Sequence, residues 1–269
     1  MEPMVSVVTV TFNAAQCIAE TIESVLSQTY RDFEYIFIDG QSTDATVSII
    51  ESYRGFFETK GIPYFVVSEK DAGIYDAMNK GLSKASGKWI QLLNAGDCLV
   101  DENVLEDVFA ASADTSDVLY GDTVLSDGGY FKISKAGNLE SIKCDMPFCH
   151  QSVVAKRALL LEYGFDTKYR YAADYNQLLC AYLEGKRFQY IHRLISVYDT
   201  TGVSEKNFKK TLKEQKEIRA SYGIVQKDST KRTLLLRMVV CLAKHFLPPL
   251  ARSEVRGWYR SLDDIKRQY

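Results

Sequence analysis

The chain has 269 residues, 46% apolar and 25% charged, with 16 Gly and 5 Pro. That length and balance support a sizeable buried core and exclude a disordered tail, a collagen-like repeat or a low-complexity linker. The net charge of −2 conceals a division: from Glu205 onward there are 16 Lys and Arg against 7 Asp and Glu, so this end is basic by about nine charges and residues 1–204 are acidic by about eleven.

Six scattered cysteines without C-x-x-C or zinc-type spacing, and no basic and apolar leader after Met1, point to a reduced, cytoplasmic setting. The longest apolar run, Thr233 to Leu247, is broken by Arg237, Lys244 and His245 and falls short of the roughly 20 residues that span a bilayer.

In chain order, Val5 to Phe12 is a β-branched, nearly continuous apolar run, as in a strand buried on both faces of a parallel sheet. Ile18, Ile22, Val25 and Leu26 then fall on one helical face. The unit repeats: strand Phe33 to Ile38, polar turn Asp39 to Asp44 and a helix to about Tyr53; strand Tyr64 to Val67 and a helix from Ile74 to Ala85; then strand Trp89 to Leu93. This alternation predicts an α/β fold with right-handed crossovers and a mostly parallel sheet. Beyond Asp97 the pattern loosens to a short helix near Asn103 to Ala111, a strand Val118 to Tyr120, a hairpin turn at Ser126 to Gly129, a strand Ser152 to Ala155 and a helix from Ala172 to Glu184.

Ligands of such sheets bind beyond the carboxyl ends of the strands. Here those ends carry Thr11 and Asn13; Asp39; Glu69, Lys70 and Asp71; and Asn94 and Asp97. No G-x-G-x-x-G follows the first strand and no G-x-x-x-x-G-K-[ST] occurs, which removes the usual dinucleotide cradle and the P-loop. Carboxylates in place of a glycine loop, next to a phosphate ligand, require a divalent cation between them.

Four stretches, Ser6-Val-Val-Thr-Val-Thr-Phe-Asn13, Ile38-Asp39-Gly-Gln-Ser-Thr-Asp44, Asp71-Ala-Gly-Ile-Tyr-Asp-Ala-Met-Asn-Lys-Gly81 and Gly87-Lys-Trp-Ile-Gln-Leu-Leu-Asn-Ala-Gly-Asp97, together resemble the family 2 glycosyltransferases of the GT-A fold. The resemblance covers about residues 4–204. It implies a catalytic domain over 1–204, with a nucleotide-binding half to about 100 and an acceptor half over 101–204; charge and periodicity make 205–269 a basic helical tail. It also implies inverting transfer of a sugar from a nucleoside diphosphate, UDP by preference, to a glycan or lipid-linked hydroxyl in bacterial surface polysaccharide synthesis, with Mn²⁺ or Mg²⁺.

The resemblance assigns Asp39 to the base, a role that suits an acceptor-only carboxylate facing an imide N–H; the alternative is an Asp that stabilises its own turn. Thr11 and Asn13 would line the nucleotide. Asn94-Ala-Gly-Asp97 stands where the family has its metal-binding acidic motif, with Asn in place of the first acid. Asp97 would be the ligand and Asn94 a neighbour of the nucleotide sugar, against a plain turn with Gly96 at positive φ and Asp97 capping a helix. Glu69, Asp71 and Asn79 would touch base or ribose, or in the case of Asn79 brace the metal loop, whereas acidic residues near a helix start also serve its dipole. Ala172-Ala-Asp-Tyr-Asn176 resembles the family's base motif and makes Asp174 the candidate general base, against an ordinary helix-start Asp. His150 and Gln151 are expected at the acceptor, against a structural His ahead of a strand, and Thr200 to Ser204 resembles a loop that closes over the diphosphate, against a plain connector to the tail.

In the tail, Leu234, Leu235, Met238, Val239, Leu242 and Phe246 form an apolar face closed by Pro248-Pro249. Such a face suits the inner surface of the plasma membrane, where basic residues meet anionic lipid; packing on the catalytic domain or a second subunit is the alternative. Nucleic acid is a poor partner for an acidic body without a reader motif. Two rival functions remain: a nucleotide-sugar or glycan binding protein with a degenerate site, suggested by Asn94, and a sugar nucleotidyltransferase, whose basic Gly-rich loop is missing here.

Overall fold

The computed structural model describes residues 2–113, 115–127, 130–200 and 207–224. Every residue of β1 (Val5–Thr11) and β2 (Phe33–Asp39) is buried, as their continuous apolar runs require when both faces are covered. The two strands pair in parallel, in register from Val5↔Phe33 to Thr11↔Asp39. β3 (Tyr64–Ser68) adds to the outer edge of β2 and β4 (Trp89–Leu92) to the inner edge of β1, both in parallel.

Helices α1 (Ile18–Leu26), α2 (Thr46–Ser52), α3 (Arg54–Thr59) and α4 (Ile74–Lys84) make the crossovers. Alternate residues of a strand face opposite sides, and the core divides accordingly: Val5 and Val7 pack with Ile18 and Ile22 of α1 on one side, Val8 and Val10 with Met78 and Leu82 of α4 on the other.

Past β4 the sheet changes character. β8 (Val153–Lys156) is antiparallel to both β4 and β6 (Val118–Asp127); β6 runs parallel to the long β9 (Phe188–Asp199), whose far edge takes β5 (Cys98–Leu99) in antiparallel. The order is β3-β2-β1-β4-β8-β6-β9-β5, with β7 (Tyr130–Ser134) hairpinned onto β6. The parallel arrangement expected from the sequence therefore holds for the first four strands, and the second half is mixed. Helices α5 (Val104–Ala111), α6 (Arg157–Tyr163) and α7 (Ala173–Leu183) flank that half.

After β9 the chain returns to the body as α8 (Phe208–Ser221), which buries Ile218 in the same core as Tyr175 and Leu178 of α7. The division at 204/205 marks a change of surface charge, but α8 packs as part of the body. The Thr201 to Ser204 part of the expected closing loop, and residues 225–269 with their apolar face, lie outside the described residues. Among the described residues no helix is long and apolar enough to cross a membrane.

Candidate active site

The parallel register sets Thr11, Asp39 and Ser68 side by side at the carboxyl ends of β1, β2 and β3. The loops that follow β1 and β2 are tied to each other. The Asn13 N–H donates to Ser42 Oγ (2.8 Å), the Thr43 N–H donates to Asn13 Oδ1 (2.9 Å), and the Ala14 and Ala15 N–H groups donate to Thr46 Oγ1 (2.8 Å) and Asp44 Oδ2 (3.1 Å).

Asp39 is fully buried and accepts from the Ser42 N–H (2.9 Å), the Ser42 hydroxyl and the Ser68 hydroxyl (2.6 Å). The turn-holding role is thus realised. With three of about four acceptor positions in use, a base N–H would take the remaining one or displace a serine. Among the described residues, Thr11 Oγ1 is buried with no hydrogen-bond partner.

Beside this rim runs the Asn94–Asp97 loop, anchored by the Ala95 N–H on Val10 O (3.1 Å) and the Gly96 N–H on Thr21 Oγ1 (2.9 Å). Gly96 has φ +98°, a conformation that L side chains resist. The plain turn with Gly96 at positive φ is thus realised, but Asp97 leads into β5 and caps no helix; instead its Oδ1 accepts the Asp199 N–H at the end of β9 (3.1 Å). It is 4% exposed. Burial pushes its carboxyl up to about 7, against the Asp199 N–H and the Gln151 side chain and with some help from the Asp199 charge.

Asn94 Oδ1, nearby, is buried without a hydrogen-bond partner among the described residues. A buried carboxylate with no counter-charge among the described residues, near an orphaned carbonyl oxygen, fits a hard divalent cation that takes its other ligands from phosphate and water. Among the described residues no group of three or more His, Cys, Asp and Glu could hold such an ion on protein side chains alone.

Asn94 also lines a cavity of about 290 Å³ together with His150, Gln151 and Asp174. Asp174 sits in the first turn of α7 and accepts the Tyr75 hydroxyl on Oδ1 (2.8 Å). Burial and the Asp174 charge hold the Tyr75 phenol well above its ordinary value, so it remains a donor. His150 lies in a short 3-10 turn (His150–Ser152) ahead of β8; burial lowers its imidazole, and Asp174 partly offsets this. Neutral imidazole keeps one acceptor and one donor nitrogen beside the carboxylate. Cys149, half-buried next to His150, is pushed up to about 12 by burial and then by Asp97, with a smaller contribution from Asp174.

The profile described as Glycosyl transferase family 2 matches residues 6–175. This chain is a family 2 glycosyltransferase. Across 262 residues it is 30% identical to a PGL/p-HBAD biosynthesis glycosyltransferase of Mycobacterium bovis (strain BCG / Pasteur 1173P2), covering 94% of each chain. S. aureus TarS 1-349 in complex with UDP-GlcNAc superimposes with TM-score 0.62 at 22% identity, over 80% of this chain and 66% of that one. The mannosyltransferase PcManGT from Pyrobaculum calidifontis, in complex with GDP-Man and Mn²⁺, gives TM-score 0.58 at 18% identity, over 96% and 85%. These likenesses establish the GT-A fold.

Of the other residues expected at the glycosyltransferase site, Asp71 belongs to the rim: its Oδ2 would lie 2.5 Å from a Cβ placed on Gly40, and the Phe12 ring 3.3 Å from it, so a side chain here would force the Asp71 carboxylate to move. Glu69 is exposed and paired with Lys80 (3.1 Å). Asn79 is occupied elsewhere, exchanging two 2.8 Å bonds with the backbone of Phe165 and so joining α4 to the loop before α7.

Sequence reasoning passed over four contributors: Tyr75, Asp199, Glu214 and Phe12. Phe12 is 62% exposed beside Thr11, which is unusual for a phenylalanine at the end of a buried strand. Its place in the first quoted stretch was the available signal. Tyr75 likewise stands in the third quoted stretch, whereas nothing local marks Asp199 and Glu214, whose roles come from the tertiary fold.

Proposed function

We propose that this glycosyltransferase moves a sugar from a nucleoside diphosphate sugar, UDP by preference, to a hydroxyl of a glycan or lipid-linked acceptor in surface polysaccharide synthesis, by direct displacement that inverts the anomeric centre. The observation that carries the proposal is the cavity shared by Asp174, His150, Gln151 and Asn94, next to the rim of Thr11, Asp39 and Asp97. TarS with UDP-GlcNAc and PcManGT with GDP-Man and Mn²⁺ support a nucleotide-sugar donor on this fold.

In the transfer, the acceptor hydroxyl gives its proton to Asp174 as its oxygen bonds to the anomeric carbon, while the bond from that carbon to the diphosphate oxygen breaks and the diphosphate leaves with the electron pair. Tyr75 orients the Asp174 carboxylate by its hydroxyl bond, and His150 and Gln151 orient the acceptor. Phe12 offers an exposed ring face to the base, and Asp39 and Asp71 border it. Asp97, with Asn94 behind it, would hold Mn²⁺ or Mg²⁺, which supplies charge neutralisation for the departing diphosphate. The enzyme would work in the cytoplasm, on the inner face of the plasma membrane.

Thermal shift against a panel of nucleotide sugars with Mn²⁺ or Mg²⁺ identifies the donor, and its slow hydrolysis reports turnover. Asp174→Asn is expected to keep donor binding and lower turnover by about 10²- to 10⁴-fold; undiminished turnover overturns the base assignment. One observation favours a second reading: neutral Asn94 leaves the motif with one carboxylate fewer, as in a nucleotide-sugar binding protein. Donor binding without turnover by the wild type would select it.

A further inference from the structure

We infer that Glu214, on α8, is a positioning residue for Asp174, fixing the backbone turn from which that carboxylate projects; the inference rests on the base assignment proposed above. α7 starts without a usual cap: its N-cap residue is Ala172, which has no side-chain acceptor for the free N–H groups of the first turn. A carboxylate from α8 takes over immediately upstream. Glu214 Oε1 accepts the Arg170 N–H (3.0 Å), and Oε2 accepts those of Tyr171 (2.7 Å) and Ala172 (3.0 Å).

Three successive N–H groups on one carboxylate form a nest, and charge-assisted bonds of this kind are about twice as strong as neutral ones. Asp174 is two residues further on. It is thereby held from two directions, through its carboxyl by Tyr75 on α4 and through its backbone by Glu214 on α8.

The rest of α8 follows the same seam. The Arg219 guanidinium lies 6.0 Å from the Tyr175 ring centre, and the Tyr222 hydroxyl donates to Asn176 Oδ1 (3.3 Å). Thr211 and Gln215, on the same face as Glu214, line the cavity that holds Asp174. Burial and Asp174 dominate the upward shift of Tyr75, and Glu214 adds to it, which places its charge within electrostatic reach of the pair. None of α8 falls in the 6–175 span that defines the family.

The test uses the full chain with Mn²⁺ and the UDP-sugar that gives the largest thermal shift, water serving as acceptor. kcat and KM for hydrolysis are measured at 15 °C from pH 5.5 to 9 for wild type, Glu214→Ala, Glu214→Gln, Asp174→Asn and Lys213→Ala, the last being a 79%-exposed position on the outer face of α8. Misplacing a reacting group by about 1 Å can cost up to 10²-fold. Glu214→Ala is therefore expected to lower kcat by about 10- to 100-fold with the KM for the UDP-sugar within twofold. Glu214→Gln, which keeps one carbonyl acceptor, should recover part of the loss, and Lys213→Ala should match wild type.

A Glu214→Ala kcat within twofold of wild type, while Asp174→Asn is inactive, overturns the inference and leaves the base assignment standing. A fall in kcat and a rise in KM of similar size, the mark of general loosening, overturns it too. An active Asp174→Asn removes the base assignment and the inference with it. If Glu214→Ala does not fold, Glu214→Gln carries the comparison: intermediate kcat at unchanged KM supports positioning, and wild-type kcat refutes it.

Discussion

Asp97 carries a stability penalty that can be measured apart from activity. Its carboxyl is raised from an ordinary 3.8 to about 7, chiefly by burial. The folded protein therefore binds a proton more tightly than the unfolded chain does, and the stability this contributes, complete below about 3.8, is lost as pH rises towards 7. A shift of about three units at 1.36 kcal/mol each amounts to about 4 kcal/mol at pH 8. Asp97→Asn removes the charge and keeps an oxygen for the Asp199 N–H. In EDTA the variant should melt roughly 4 °C above wild type at pH 5, where about 2 kcal/mol has already been lost, and roughly 10 °C above it at pH 8. The assay is thermal unfolding of both proteins at half-unit steps of pH. Adding Mn²⁺ and UDP should raise the wild type and leave the variant unmoved. A gap that is the same at pH 5 and pH 8, or a variant less stable at pH 8, would show that Asp97 is no buried, counter-charge-seeking carboxylate and would refute the cation argument.

Asp117 has the opposite sign. Burial opposes its ionisation, but Arg187 and then Lys156 outweigh it and hold the carboxyl well below the usual range. Its contribution is present above about 3.8 and fades as pH falls further, so Asp117→Asn should cost about 1–2 kcal/mol by urea unfolding at pH 7 and distinctly less at pH 3; an equal cost at both would reject the ion-pair account. Gly40→Ala drives a methyl group into Asp71 and Phe12. It should weaken UDP binding about tenfold, or 1.4 kcal/mol by titration calorimetry, and unaltered affinity would move the base subsite elsewhere. Full-length chain should float with anionic liposomes while a chain ending at Ile224 stays in the soluble fraction; equal flotation of the two would end the membrane role of the tail.

What the sequence made legible follows the range of the interactions involved. The four parallel strands and helices α1 and α4 could be read because their periodicity is local: Val5 to Thr11 is apolar throughout, and Ile18, Ile22 and Val25 recur on one helical face. β9 escaped notice because exposed His192 and half-buried Arg193 interrupt its apolar run, although pairing with β6 on one side and β5 on the other makes it a strand. α6 is a seven-residue helix, too short for a clear period. The candidate site was legible at Asp97 and Asp174, which stand in quotable stretches. Glu214 looks like any acid in Lys209-Lys-Thr-Leu-Lys-Glu-Gln-Lys-Glu217, and only the docking of α8 against α7 gives it three N–H partners.

Asn13 and Gln41 both hold left-handed backbone angles, φ 50° and 65°, without being glycine. Each such residue forgoes on the order of 1–2 kcal/mol. The loops that carry them are stitched together, so neither can unwind without undoing the other's stitching. The mouth of the cleft thus resembles a sprung frame, shaped before any guest arrives and with little freedom left to surrender on capture. A glycine at position 41 would make a hardier molecule with a slacker grip, which is the compromise that stability-minded engineering of this scaffold would meet first.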